Sequence, residues 1–166
     1  MTQAKVYIFK SDRQLSSDAS RQLFPKAYFQ ETGKTIVYEK LPRGKFGKPE
    51  PIDGLFFNIS HSSHYFAVIF STEECGIDIE EPRKFKSNIS KRVLSKDEPI
   101  IDDNLLNNWV LKEAYVKYLG IGLNKDFRDI STKELLETEH IYNLSTDDYY
   151  CYAVTKSPTG ISISQQ

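Results

Sequence analysis

Residues 76–80 have the sequence Gly-Ile-Asp-Ile-Glu, which predicts a short β-strand with one apolar and one acidic side. Because successive side chains of a strand point to opposite faces, Asp78 and Glu80 share one face, while Ile77 and Ile79 share the other and enter the core. Two neighbouring carboxylates repel each other unless a cation lies between them. The pair is therefore a candidate metal site, although a half-exposed strand whose acidic side faces water explains the pattern at least as well.

A second motif, Trp-Val-Leu-Lys-Glu-Ala-Tyr-Val-Lys at residues 109–117, predicts a largely buried helix. Trp109, Glu113 and Lys117 recur at intervals of four residues and therefore share one helix face. An isolated Glu–Lys pair on such a face contributes only about 0.2–0.5 kcal/mol, and this is the simpler interpretation. If Glu113 instead meets Asp78 and Glu80, three carboxylates without a histidine or cysteine partner favour magnesium over zinc.

A third motif, Phe-Asn-Ile-Ser-His-Ser at residues 57–62, lies where a predicted strand ends in a polar cluster. His61 either caps a turn of the loop or donates a hydrogen bond to a phosphate group. A serine hydrolase has little support, because no G-x-S-x-G sequence surrounds these serines.

The order of the predicted elements is a helix followed by strands, twice over, which indicates an α+β fold of two packed halves. One helix begins at residues 16–18, contains Pro25 as a predicted break or kink, and is capped by Gly33. Residues 55–80 form three strands of a predicted antiparallel meander, and residues 41–54 form a loop rich in glycine, proline and cations. The other predictions are helices at residues 85–94 and 103–119 and strands at residues 5–9, 35–39, 141–144, 149–154 and 160–164.

The composition is that of an ordinary globular protein, with 166 residues, 39% hydrophobic and 27% charged. A net charge of -1 gives no overall attraction to nucleic acid or to a membrane surface. Cys75 and Cys151 lie far apart and outside any CxxC motif, which argues against a disulfide framework or a cysteine zinc site. Neither a signal peptide nor a membrane-spanning run is evident, so we expect a cytoplasmic protein.

The motifs taken together closely resemble one enzyme family. Gly-Lys-Pro at residues 47–49 precedes the motifs at 57–62, 76–80 and 109–117, and Gly-Ile-Gly-Leu at residues 120–123 follows them. This series resembles the 4′-phosphopantetheinyl transferases of the surfactin-synthetase-activating type, and the match runs from about residue 18 to about residue 123. The family fold implies two similar halves related by a pseudo-twofold axis, with coenzyme A in the cleft between them. We expect the halves at residues 1–82 and 83–166, each a helix packed on a small antiparallel sheet.

The resemblance implies a reaction in which the 4′-phosphopantetheine arm of coenzyme A moves to a serine of an apo carrier protein, releasing 3′,5′-ADP. The residues similar to the family's magnesium ligands are Asp78, Glu80 and Glu113. Glu113 also resembles the general base, Lys117 the lysine that holds the phosphates, and His61 and Ser60 contacts to coenzyme A near its phosphates. The resemblance also implies that Lys48 and Pro49 hold the adenine end of coenzyme A and that Arg21 contacts its 3′-phosphate.

Partner choice is the least determined property of the sequence. A basic run with members Lys84, Lys86, Lys91 and Arg92 is either a docking site for an acidic carrier protein or a solvated surface. The carrier belongs to fatty-acid, polyketide or non-ribosomal peptide synthesis, and we expect a monomer. The alternatives are another magnesium-dependent phosphohydrolase or nuclease, a non-catalytic module that binds coenzyme A or a carrier protein, and a plain interaction domain.

Overall fold

A computed structural model describes residues 3–44, 47–84, 89–99, 102–122 and 125–166, with the side chains of 102–104 left aside. The strands are β1 (Gln3–Lys10), β2 (Phe56–Ser62), β3 (Tyr65–Ser71), β4 (Cys75–Glu80), β5 (His140–Asn143), β6 (Tyr150–Thr155) and β7 (Gly160–Gln165). The helices are α1 (Ala19–Thr32), α2 (Ser90–Val93), α3 (Asp102–Leu119) and α4 (Thr132–Thr138). Short 3-10 turns lie at Tyr38–Lys40 and Phe127–Asp129.

Two sheets pack face to face with one long helix on the outside of each. The first sheet has the order β2-β3-β1-β7, and the second has the order β4-β6-β5. Alternate residues of the strands, such as Ile8, Ile69, Ile77 and Cys151, form the core between the sheets. The opposite face of the first sheet packs on α1, and the opposite face of the second packs on α3. The predicted α+β class is confirmed.

The strand pairing differs from the predicted meander in one respect that matters for the site. β2 and β3 form the predicted antiparallel pair, but β4 pairs with β6 in the other sheet. β7 conversely pairs with β1, in parallel, so the first sheet is mixed and not purely antiparallel. Each sheet therefore contains a strand from the other part of the chain. The division at residues 82 and 83 stays a prediction.

Local differences from the predictions have identifiable causes. Residues 35–39 do not form a strand but lead into the 3-10 turn, where the Tyr38 ring packs 5.8 Å from that of Phe24. Helix α1 continues through Pro25, since burial of Phe24 and Tyr28 offsets the lost hydrogen bond. Gly33 caps α1 in the left-handed conformation, as predicted.

Two helices near the middle of the chain also differ from expectation. The helix predicted at 85–94 is described only as α2, because residues 85–88, with Lys86, lie outside the described residues. Helix α4 was not predicted. Among the described residues, no helix is long and apolar enough to cross a bilayer.

Candidate functional site

A cavity of about 540 Å³ is lined by residues of β2, β4 and α3 and by the loop that follows the 3-10 turn at Tyr38–Lys40. Its size is typical of a site for a small molecule or cofactor. All predicted site residues except Arg21 line it: Lys48, Pro49, Ser60, His61, Asp78, Glu80, Glu113 and Lys117. Residues from four motifs that are distant in sequence therefore meet at one place.

The contact between β4 and α3 depends on Gly76. A Cβ atom at this position would collide with Ala114 O and Tyr118 N of the helix and stand 2.8 Å from Tyr118 Cα. Only glycine lets the helix backbone approach the strand this closely. Glu113 directly precedes Ala114 on α3, and Lys117 directly precedes Tyr118. The close approach therefore brings both side chains to the acidic face of β4.

Side chains of β2 accept hydrogen bonds from backbone N–H groups along the edge of β4 that does not face β6. The backbone N–H groups of Ile77, Ile79 and Glu81 donate to Asn58 Oδ1 at 3.1 Å, Ser60 Oγ at 3.4 Å and Ser62 Oγ at 3.2 Å. The three acceptors are alternate residues of β2 and so share one face. We call Asn58, Ser60 and Ser62 the β2 clamp. This edge pairing is a function that the sequence analysis missed, and the polar alternation at 58, 60 and 62 is the signal for it.

The β2 clamp also orients the two carboxylates of β4. Ser60 Oγ donates to Asp78 Oδ1, and Ser62 Oγ donates to Glu80 Oε2, each at 2.7 Å. Lys117 Nζ lies 2.6 Å from Asp78 Oδ1 and 2.9 Å from Ser60 Oγ. Arg83 Nη2 donates to the other oxygen of Glu80 at 3.2 Å. The carboxylates are thus held in fixed directions toward the cavity.

The electrostatics of the site reflect crowded negative charge in a poorly hydrated place. Burial, with the charges of Asp78 and Glu80, raises the pKa of Glu113 to about 7. Burial also raises the pKa of Glu80, and the hydrogen bond from Ser62 opposes that rise. Loss of hydration, helped by the nearby Lys117 charge, lowers the pKa of His61 and favours its neutral form. Glu113 is therefore poised to exchange a proton near neutral pH.

The acidic side chains of the cavity offer only oxygen ligands to the predicted magnesium ion. Across the described ranges, no three His, Cys, Asp or Glu side chains are arranged as a ready-made metal group. However, Asp78 Oδ2 is buried and has no hydrogen-bond partner among the described residues, which is costly for a carboxylate oxygen. Asp78 and Glu80 both raise the pKa of Glu113, so the three carboxylates are close enough to repel. An all-oxygen acidic set with an unsatisfied oxygen fits a divalent cation such as magnesium.

Lys48 lines the cavity, but its ammonium group is directed to a helix end. Nζ donates to Tyr118 O at 2.6 Å, at the carboxyl end of α3. The stem of Lys48 covers Gly120, which has a φ of 68° and would meet Lys48 Cδ at 2.8 Å if it had a Cβ. Burial lowers the pKa of Lys48. The lysine thus caps α3 and ties the preceding loop to it.

Arg21 lies outside the set of residues that line the cavity. Its guanidinium forms ion pairs with Asp18 Oδ1 at 3.0 Å and with Glu39 Oε1 at 3.3 Å. Its neighbour Ser20 does line the cavity, as does Arg43 from the loop. From the sequence, Arg43 is only one of the cations in the loop at residues 41–54.

Comparison with known proteins identifies the family of this chain. A sequence profile described as the 4′-phosphopantetheinyl transferase superfamily matches residues 74–157, half of the chain, including β4 and α3. The chain belongs to this superfamily, and the predicted membership is confirmed.

Individual relatives agree with the family assignment. The 4′-phosphopantetheinyl transferase Sfp of Bacillus subtilis (strain 168) is 28% identical over 122 residues, which cover 67% of this chain and 54% of that protein. The human L-aminoadipate-semialdehyde dehydrogenase-phosphopantetheinyl transferase is 28% identical over 142 residues, 70% of this chain and 46% of that protein. The protein of the same name from Candida glabrata is 31% identical over 108 residues, 54% of this chain and 42% of its own length. The chain spans about half the length of the curated relatives it matches.

Proposed function

We propose that this protein transfers the 4′-phosphopantetheine group of coenzyme A to a serine of an apo carrier protein. The observation that carries the proposal is the meeting of Asp78, Glu113 and Lys117 in one cavity. A cation and several carboxylates around a small-molecule cavity suit phosphoryl transfer, in which catalysis consists of positioning and charge stabilisation. Membership of the superfamily supports the same reaction.

In the proposed reaction the carrier serine Oγ attacks the β-phosphorus of coenzyme A. A new P–O bond forms to the serine, and the P–O bond to the 5′-phosphate breaks, so that 3′,5′-ADP leaves with the bonding electrons. Glu113 accepts the serine proton, directly or through a water molecule, as a carboxylate within the cavity; in the protein without metal, burial raises the pKa of this group to about 7. Lys117 stabilises the negative charge that develops on the leaving phosphate.

His61 supports the same step from β2. As a neutral imidazole it donates one N–H to a phosphate oxygen without adding charge. Ser60 fixes Asp78 and Lys117 relative to each other through its hydroxyl group. The cavity walls hold the pyrophosphate at these groups and limit the access of water.

We further propose Asp78, Glu80 and Glu113 as the residues that hold a magnesium ion. When bound, the ion neutralises charge on the phosphate oxygens of the substrate. Thermal unfolding measured with and without Mg²⁺ tests this without activity: the ion raises Tm of the wild type. The rise should disappear in Glu113→Gln, and a full rise in that variant contradicts the assignment.

The transfer itself is tested by mass spectrometry of apo carrier proteins incubated with the protein, coenzyme A and Mg²⁺. The expected result is a mass gain of one phosphopantetheine on the carrier, absent when a chelator is added. Carriers from fatty-acid, polyketide and non-ribosomal peptide synthesis are compared in parallel, which identifies the preferred class. Cleavage of nucleic acid or of simple phosphate esters in place of transfer supports the phosphohydrolase alternative. Binding of coenzyme A without transfer to any carrier supports a non-catalytic module.

We propose the exposed basic residues Lys84, Lys91 and Arg92 as the carrier-docking surface. They lie after β4 and on α2, and Lys86 of the same run falls outside the described residues. Cations on a surface favour the encounter with an acidic partner. Reversing Lys84 and Lys91 to Glu should raise KM for the carrier and leave KM for coenzyme A unchanged. The matched reversals Lys26→Glu and Lys133→Glu, also exposed, are the control, and equal effects of both pairs contradict the proposal. A monomeric state and a cytoplasmic location stay predictions.

A further inference from the structure

The turn between β2 and β3 is fixed by the chain segment that joins β1 to α1. The turn consists of Ser63 and His64, and we call it the β2–β3 turn. The carbonyl oxygens of these two residues accept hydrogen bonds from Leu15 N at 2.6 Å and from Ser11 N at 2.8 Å. Because two backbone bonds hold it, the β2–β3 turn can serve as a support for whatever contacts it.

The β2–β3 turn binds the carboxylate of Glu81, the residue that directly follows β4. The backbone N–H of His64 donates to Glu81 Oε2 at 2.7 Å, and the imidazole Nδ1 lies 3.0 Å from Oε1. A carboxylate only accepts hydrogen bonds, so this contact assigns the proton to Nδ1. One residue thus binds both oxygens of the carboxylate.

Glu80, one of the proposed metal ligands, lies where β4 leaves its sheet. Its pairing with Tyr150 ends the described ladder between β4 and β6. On the opposite edge, Ser62 Oγ donates to Glu80 Oε2 at 2.7 Å and accepts from Glu81 N at 3.2 Å. The peptide unit that joins Glu80 to Glu81 is rigid, so holding Glu81 limits the rotation of the backbone at Glu80.

The two acids at this end of β4 differ in their surroundings. Among the described residues, Glu80 lines the cavity, whereas Glu81 and His64 lie outside its lining. Glu81 is therefore placed to support its neighbour and not to meet the ligand of the cavity itself. The affinity of a metal site depends on such supports, because they keep the ligating groups in one geometry.

We propose that His64, by holding Glu81, is a positioning residue that keeps Glu80 directed at a divalent cation. This inference rests on the proposed function, because it takes the metal site of that function as given. The effect passes from the imidazole through Glu81 and the backbone to Glu80. It has a different sign from an effect of charge, since removal of an imidazolium near the site strengthens the binding of a cation.

The test measures Kd for Mg²⁺ by titration calorimetry with the full chain. Kd should rise about three- to ten-fold in His64→Ala and in Glu81→Ala, less than the change of about ten- to a hundred-fold that follows loss of a direct partner of a ligand. His64→Asn should recover most of the affinity, because its amide nitrogen takes the place of Nδ1. The double variant His64→Ala/Glu81→Ala should bind no more weakly than Glu81→Ala, since both changes break one contact.

Glu74 provides a matched control at the opposite end of β4. It directly precedes the strand, and its Oε2 lies 2.9 Å from Lys156 Nζ. Glu74→Ala also removes one paired carboxylate and should leave Kd for Mg²⁺ unchanged. Glu81→Gln loses the charge but keeps an acceptor for His64, so its Kd should lie closer to that of the wild type than Glu81→Ala does. Circular dichroism checks that all variants fold.

Transfer to a carrier over a range of Mg²⁺ concentrations gives a second measurement. His64→Ala should need about three- to ten-fold more Mg²⁺ for its half-maximal rate and should approach the wild-type rate at saturation, whereas a general loss of structure persists there. Unchanged or tighter Mg²⁺ binding in His64→Ala, or an equal loss in Glu74→Ala, overturns the inference.

The outcomes separate this inference from the proposed function. If Mg²⁺ binding depends on His64 and Glu81 but no carrier is modified, the proposed function fails and the positioning role stands. If carriers are modified and Mg²⁺ binds equally well without either side chain, only the inference fails. A wild type that binds no Mg²⁺ overturns the metal site and the inference together.

Discussion

The two ends of the cavity are built in different ways. The acidic end rests on β4 and α3, whose backbones touch at Gly76, and the β2 clamp fixes both carboxylates of β4. The cationic end rests on the loop at residues 42–44 and 47–50, where Lys48 Nζ donates to Tyr118 O of α3. Groups that carry out chemistry must be held precisely, because a small misplacement costs much of the rate. A group that only recognises the substrate tolerates a loop.

Removal of the proposed general base, Glu113, should lower the transfer rate more than any other change at the acidic end. Glu113→Gln keeps the shape of the side chain but cannot accept the serine proton, so the transfer rate should fall about 10²- to 10⁴-fold. Single-turnover transfer to a carrier protein measures this rate. The variant should fold at least as stably as the wild type, because a repelling charge is lost. Transfer near the wild-type rate by the folded variant contradicts the role of Glu113.

The back of α3 is held by a buried ion pair that the acidic end depends on. Lys112 Nζ, fully buried, lies 2.6 Å from Glu98 Oε2 and 2.7 Å from Val93 O. Lys112→Met leaves the Glu98 charge unpaired and should lower the free energy of unfolding by about 3–5 kcal/mol, measured in urea. The exposed Lys133→Met is the control and should change it by less than about 0.5 kcal/mol. The double variant Lys112→Met/Glu98→Gln should recover part of the loss, and a single-variant loss below about 1 kcal/mol contradicts this account.

Stability of the metal-free protein should depend on the ionisation of Glu113. Its pKa is raised from 4.5 to about 7, so the folded protein keeps the proton over a pH range in which the unfolded chain has released it. Stability from this group is therefore full below about pH 4.5 and is lost as the pH rises to about 7, by an amount on the order of 2–3 kcal/mol. Urea unfolding at a series of pH values in chelator measures the slope. The slope between pH 5 and pH 7 should be smaller in Glu113→Gln, and an identical slope refutes the prediction.

Much of this construction could be predicted from the sequence, because it follows local rules. The alternation of Ile77, Asp78, Ile79 and Glu80 gave the two faces of β4 correctly, and Gly33 marked the end of α1. Helix α4 was missed although Ser131 accepts a hydrogen bond from Glu134 N, a capping pattern visible as S-x-x-E. The sequence therefore contains a local signal for the start of α4.

Other features depend on contacts between distant segments and could not be predicted. The connection between β3 and β4 is short, yet β4 pairs with β6, about seventy residues away, because its Gly76 face must lie on α3. The resemblance implies Arg21 as the contact to the 3′-phosphate, and the sequence gives Arg43 no role beyond its place in a loop rich in cations. Only the folded chain brings Glu39 to Arg21 and leaves Arg43 on Tyr38. Spatial neighbours, which spacing does not reveal, decide which cation is available.

The close approach of β4 and α3 can be tested directly. Gly76→Ala forces the Cβ against Ala114 O and Tyr118 N, both backbone atoms that cannot turn aside. We expect a loss of about 1–3 kcal/mol in unfolding free energy, and a fall in transfer rate even in the folded fraction, because Glu113 and Lys117 move away from Asp78. Gly160→Ala is the matched control, since nothing lies within 4 Å of its added methyl group. Equal behaviour of both variants argues against Gly76 as the determinant of the approach.

Substitution of Lys48 at the cationic end should have a smaller effect than the changes above. It distinguishes capping of α3 from contact with the ligand. If Lys48 caps α3, Lys48→Met removes the bond to Tyr118 O and lowers stability without any ligand by about 1 kcal/mol. Hydrogen exchange of the Gly44 amide, which donates to Lys48 O, should also become faster because this loop is no longer bonded to the helix. If Lys48 serves only as a ligand contact, both quantities stay at their wild-type values and only KM for coenzyme A rises. The exposed Lys40→Met is the control, and we expect the cap, because a desolvated ammonium is retained in a fold only where an acceptor satisfies it.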